Sequence, residues 1–347
     1  MNAPVKLDLR DVSTFPTRRD EAWRYSDFRR AAPTYIEVAP KIASPEPGGP
    51  FAAVNGDELA FANGCTANGE THAELDLDGG VQRLRFVTDT QGAGWQAHVV
   101  VKVAAGARVT LLETYEGQGA AYVASASLSF VLEPGASLER IVLLVEPADA
   151  VSVSAANVTL TAGASFAQTV VATGAKLQRH ETSVLHPGQG AQLRMDGVYL
   201  LGDARHGDLT TVVSHAGPGG QTNQLTKGLA TDSGRAVFQG RIVVERGADQ
   251  TDARMRHDAL LLSDRAEIDA KPELQINADD VSCAHGNTVG ALDAMALFYI
   301  QSRGVPDAQA KALLTQAFVG EVLERIEHEG AKAIVQAFVA ERLEGLL

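Results

Sequence analysis

Cys283 and His285, two apart in Ser282-Cys283-Ala284-His285-Gly286, are the side chains best placed to do chemistry. On an extended strand that spacing sends both off the same face. A thiolate and an imidazole are two ligands of a soft-metal site that needs about four. The other cysteine, Cys65, lies far upstream, so a disulfide framework and a self-contained cysteine cluster are both excluded. Spacing alone favours a plainer reading, a buried structural cysteine beside a histidine satisfied by backbone.

Other candidates are weaker. His180, His186, His206 and His215 are irregularly spaced, and none forms the i, i+4 pair of a helical zinc site. His186 and His215 could stack if the backbone repeats between them, although exposed loop histidines are the preferred reading. Arg205-His206-Gly207-Asp208 sets a carboxylate near an imidazole. Adjacent Asp279 and Asp280 read as turn formers. There is no Gly-x-Ser-x-Gly elbow and no Gly-x-x-x-x-Gly-Lys-Ser/Thr loop, so neither a hydrolase nucleophile nor a P-loop ATP site is expected.

The bulk composition narrows the class. Apolar residues at 45% and charged residues at 21% describe a folded chain and not a disordered one. A net charge of −13 disfavours nucleic acid and anionic membrane, which need clustered Lys and Arg. The start, Met1 to Asp8, has no apolar signal core, and no run of about 18 apolar residues could span a bilayer. A soluble cytoplasmic protein is expected.

The elements that position Cys283 and His285 follow from a repeat. A turn and a small-residue step into a strand recur at Gly106, Gly135, Gly163, Gly190, Gly219 and Gly247, at spacings of 29, 28, 27, 29 and 28. A fixed period with β-branched, alternating content means one unit stacked on itself. About 28 residues fit two strands and two turns, with successive coils about 4.8 Å apart. The fold class expected is mainly β: a parallel β-helix over 81–290, with helical segments at both ends. Residues 1–80, with Trp23, Tyr25, Phe28 and a Thr17 helix cap, are read as a helical or irregular cap on one end of the stack.

Residues 291–347 are read as a helical domain at the other end. One helix runs from Asp293 to Arg303-Gly304. A second starts at Pro306-Asp307, ends near Gly330 and carries the stripe Leu314, Phe318, Val322 and Ile326. A third carries Val335, Phe338, Val339, Leu343 and Leu346. Such stripes either close on one another or meet a partner.

Lys271-Pro272-Glu273-Leu274, Ala278-Asp279-Asp280-Val281, Cys283-Ala284-His285-Gly286 and Thr288-Val289-Gly290 resemble the C-terminal signature of the SufD family. Its members are subunits of the SufB–SufC–SufD iron–sulfur cluster assembly complex. The resemblance extends through Leu297-Phe298-Tyr299-Ile300 and Ser302-Arg303-Gly304-Val305, and upstream to Val237-Phe238-Gln239-Gly240-Arg241-Ile242 and Glu21-x-Trp23-Arg24-Tyr25. Two departures stand out. Ala284 and Asn287 replace the family's Ser or Thr and its Ala. Arg254, Met255, Arg256 and His257 replace a strand that tends to carry Gln and Asn.

The resemblance implies a non-catalytic scaffold. It would form a heterodimer with a SufB-like subunit through the solenoid edge and receive a SufC-like ATPase on the C-terminal helices, with Leu314, Phe318, Val322 and Ile326 as the contact. It also implies a role in iron supply. His285, with Cys283, would be this chain's share of a metal site that holds iron or an iron–sulfur cluster transiently, no cofactor being bound stably by the chain alone. Self-association into a homodimer is expected of an unpaired edge. The alternatives are a β-helical carbohydrate-active enzyme, disfavoured by 5% aromatics, and a purely structural oligomerisation module.

Overall fold

The computed structural model describes residues 7–43 and 45–346. Most of the segment Met1–Asp8, read above for a signal core, lies outside the described residues.

Strands begin upstream of residue 81. β1 (Glu37–Val38), β2 (Asp57–Ala62), β3 (His72–Leu77) and β4 (Gly80–Thr88) come from the segment expected to be helical or irregular, or from its border. Then follow β5 (Ala93–Val103), β6 (Arg108–Gly117), β7 (Val123–Leu132), β8 (Ser137–Val145) and β9 (Val151–Leu160). β10 (Ser165–Ala172), β11 (Leu177–His186), β12 (Gln192–Leu201), β13 (His206–His215) and β14 (Gln221–Ala230) continue the series. β15 (Arg235–Val244), β16 (Asp252–Leu261), β17 (Glu267–Ile276) and β18 (Ser282–Gly290) complete it. One helical turn, α1 (Phe28–Ala31), precedes the strands. Three helices follow them: α2 (Ala294–Ser302), α3 (Asp307–Leu323) and α4 (Glu329–Glu344).

Even-numbered strands form one nine-stranded sheet and odd-numbered strands a second, each strand pairing in parallel with the next coil. This is the expected parallel β-helix. The six repeat glycines sit at corners with φ between 65° and 82°. Only glycine takes that left-handed turn without steric cost.

In-register pairing turns the sequence into columns. Arg140 lies beside Gln168, Gln168 beside Met195, Met195 beside Gln224, Gln224 beside Met255, and Met255 beside His285. The lumen that this column lines is largely apolar, with one fully buried ion pair. Arg140 donates from Nε and Nη2 to the two oxygens of Glu113, each at 2.8 Å, and from Nη1 to Gln168 at 2.7 Å. Neither charge touches solvent. Such a pair holds only because its hydrogen bonds are met.

The terminal segments cover flanks and leave the C-terminal end of the stack open. The even strands are apolar on both faces, as in Ile141-Val142-Leu143-Leu144, so their outer face also needs a cover. α3 and α4 supply it. Val319, Val322, Ile326, Val335 and Val339 pack with Ile141, Leu143, Val198 and Leu225. The Glu139 carboxylate accepts the N–H groups of Glu327 and His328 at 2.7 and 2.9 Å, fixing the link between the two helices. α3 therefore stops well short of Gly330. On the odd sheet, Phe15, Trp23 and Phe28 pack over Val123, Val153 and Leu177. That segment makes short 3-10 turns, Val12–Thr14 and Glu21–Trp23, and Thr17 caps no α-helix. Among the described residues, no helix is long and apolar enough to cross a membrane.

Candidate functional site

The last coil is the exposed end of the stack. β17 and β18 are the final strands of their sheets, so among the described residues their outer edges carry backbone donors and acceptors with no neighbouring strand. Cys283, His285 and Asn287 pair in register with Ala253, Met255 and His257, whose side chains are buried in the lumen. Strand alternation therefore turns all three toward the lumen where it opens. Cys283 is half-buried against the core, while His285 and Asn287 are exposed.

The thiol is not pre-activated. Burial pushes its pKa above the usual value and Asp252 adds to the effect, against a hydrogen bond from the Ala253 backbone. It gives up its proton readily only where a cation stabilises the thiolate or an incoming base takes the proton. Among the described residues, no group of three or more His, Cys, Asp or Glu could hold a metal ion. Cys283 and His285 thus stand as two donor-type side chains at an open end, with no third such group beside them among the described residues.

The Arg254–His257 departure divides by face. Outward, Arg254 pairs with Asp252 at 3.2 Å and Arg256 with Asp258 at 2.7 Å, so neither leaves a bare basic patch. Inward, His257 stacks on Phe238 with centroids 4.6 Å apart and planes 4° from parallel. Its Nδ1 lies 2.6 Å from Asn287 Oδ1 and its Nε2 lies 2.9 Å from the Tyr199 hydroxyl. Tyr199 reaches two strands across because Gly228 lies between: a Cβ there would meet the ring at 1.9 Å. Burial holds the imidazole pKa below its usual range. His257 and Asn287, one from each departure, are thus partners.

The upstream histidines lie on strands rather than exposed loops: His180, His186 and His215 are buried and His206 is half-buried. His186 Nδ1 and His215 Nδ1 are 3.2 Å apart, as the stacked alternative requires. His186 Nε2 accepts the Ala191 N–H at 3.2 Å, so its proton sits on Nδ1 and is donated to His215. His215 Nε2–H then donates to Thr222 at 2.8 Å. All four nitrogens are used by neutral rings, leaving none for a metal. His180 is buried beside Arg140 and Ser154. His206 meets Ser26, which donates to Asp208 at 2.5 Å, and Asp208 also accepts from Arg179. Ser26 and Asp208 are sealed from solvent, so the cluster clamps the N-terminal segment and offers no nucleophile.

The expected partner stripe is largely used up by the chain itself. Val322 and Ile326 are 0% and 1% exposed against the even sheet, and Phe318 lies partly buried under the Lys227 ammonium, 4.4 Å from its ring. Leu314 is half-buried. In the C-terminal region, exposed apolar side chains lie instead on α2, at Met295 (74%), Phe298 (65%) and Tyr299 (59%), and on α3 at Leu313 (48%).

The family model described as "SUF system FeS cluster assembly, SufBD core domain" matches residues 86–318. Iron-sulfur cluster assembly protein SufD of Escherichia coli is 38% identical over 172 residues, covering 50% of this chain and 41% of that protein. The protein of the same name from Bacillus subtilis is 34% identical over 149 residues, covering 38% of this chain and 34% of its own length. A SufBD family protein of Mycobacterium bovis is 26% identical over 365 residues, covering 96% and 91%. The matches thus span less than half of either SufD relative. The chain belongs to the SufBD core family of the SUF iron–sulfur cluster assembly system and is SufD-like.

Proposed function

We propose that this chain is a non-catalytic, cytoplasmic scaffold subunit that completes an iron–sulfur assembly site together with a SufB-like partner. The observation that carries this is the open last coil. Two donors, Cys283 and His285, face the lumen mouth, and among the described residues the β17 and β18 edges beside them have no strand partner. A second solenoid pairing along those edges would satisfy the backbone and bring the missing ligands. Iron, or a nascent cluster, is the cargo of such a site. Imidazole and thiolate suit iron, and their incomplete number suits transient holding.

A SufC-like ATPase docks, in this proposal, on Met295, Phe298, Tyr299 and Leu313, whose exposure leaves apolar area for a partner. The buried Val322 and Ile326 act indirectly by holding α3 in place. Without a partner, the same edges favour self-association.

The test is anaerobic purification of the tagged full-length chain from its own cell extract. A SufB-like and a SufC-like chain should accompany it. Recovery of the chain without either contradicts the proposal.

A further inference from the structure

We propose that Asn287 is a further residue of this site, presenting its side-chain N–H group as a hydrogen-bond donor to sulfur, either thiolate or sulfide, held beside Cys283 and His285. The inference rests on the reading of those two residues as half of a shared site.

Hydrogen-bond polarity carries the argument. Tyr199 is fully buried, and among the described residues its hydroxyl has one partner, His257 Nε2 at 2.9 Å. If the hydroxyl accepted from His257, its own proton would be left buried without an acceptor, which costs about 1–3 kcal/mol. Tyr199 therefore donates, and Nε2 accepts. The neutral ring then carries its proton on Nδ1 and donates it across 2.6 Å to Asn287. Only the amide oxygen can accept that proton. The orientation of the Asn287 amide is thus set from the interior, through a ring clamped on Phe238 and a tyrosine admitted by Gly228.

With Oδ1 engaged, Nδ2 is the free end of the amide, and no protein acceptor for it is found among the described residues. Asn287 is exposed on the lumen-mouth face of β18, two residues beyond His285. A donor fixed there matches an electron-rich sulfur. Hydrogen bonds to cluster sulfurs stabilise the reduced, more negative state and raise the reduction potential.

The experiment uses the complex of the full chain with its SufB-like and SufC-like partners, loaded anaerobically with ferrous iron and sulfide. Its midpoint potential is read by mediated redox titration followed by visible absorption. Asn287→Ala should shift the potential downward. Asn287→Asp, which replaces the donor by a charged acceptor, should shift it further. Tyr199→Phe, which releases the lock and leaves the amide in place, should give a smaller shift of the same sign. An unchanged potential in Asn287→Ala, with a lowered thermal midpoint of the free chain, marks a merely structural residue and overturns the inference. His285→Ala is the control for the underlying reading. Unchanged cluster content and spectrum there would remove the shared site itself, whereas an altered spectrum with an unresponsive Asn287 removes only the inference.

Discussion

At the residue scale, buried polar groups divide into those that serve the fold and those that reach the open end. Arg140 and Glu113 belong to the first kind. Arg140→Met alone leaves the Glu113 carboxylate dry and unpaired, and should destabilise the chain by about 3–5 kcal/mol in urea denaturation. Adding Glu113→Leu should restore most of that loss, and a double variant no more stable than the single one would contradict the account. Tyr199, Gly228, His257 and Asn287 belong to the second kind. The shared face of Cys283 and His285 was legible in the sequence because a spacing of two needs only a strand. The lock behind Asn287 was not, because its members lie on separate strands and meet only once coil register is known. Nothing in the local sequence marked Gly228 as the gap that admits a tyrosine ring.

At the element scale, the coil period was readable because each corner demands glycine in a left-handed turn, six times over. The first coils escaped notice because β2 and β3 are not preceded by that Gly-Ala step. The placement of the helices was not readable either. An apolar stripe states that a face must be buried without naming what buries it. Here the even sheet claims it, since Ile141, Leu143, Val198 and Leu225 turn outward and need a cover. Two predictions follow from this division of the helices. Ile326→Ala should cost about 2–4 kcal/mol of stability by opening a cavity under α3. Phe298→Asp should leave thermal stability within about 0.5 kcal/mol while weakening capture of the SufC-like ATPase at least tenfold, measured by binding titration. Equal stability losses in the two variants would contradict the assignment of inner and outer faces.

At the scale of the whole molecule, buried histidines govern the response to acid. Burial holds His206 and His215 at about 4, and His180, His186 and His257 below their usual value. Between about 4 and 6.5 the unfolded chain binds more protons than the folded one, so stability falls as pH falls through that window. The thermal midpoint should drop steadily from pH 7 to pH 4.5, and a flat profile would contradict the neutral, buried state of these rings. Glu146 acts in the opposite sense. Burial raises its carboxyl to about 7, so the stability linked to its protonation is present below its ordinary value of 4.5 and lost as pH rises through 7. Glu146→Gln should therefore stabilise the chain at pH 8, on the order of 2 kcal/mol, and do little at pH 4.5.

Among the described residues, the C-terminal end of the stack has no cover. The most direct test is iron content per complex, measured after anaerobic loading of the full chain bound to its SufB-like partner. Wild type should retain iron through gel filtration, and His285→Ala should lose most of it while the two chains still elute together. Full iron retention in the His285→Ala complex would contradict the assignment of the last coil as half of a shared site.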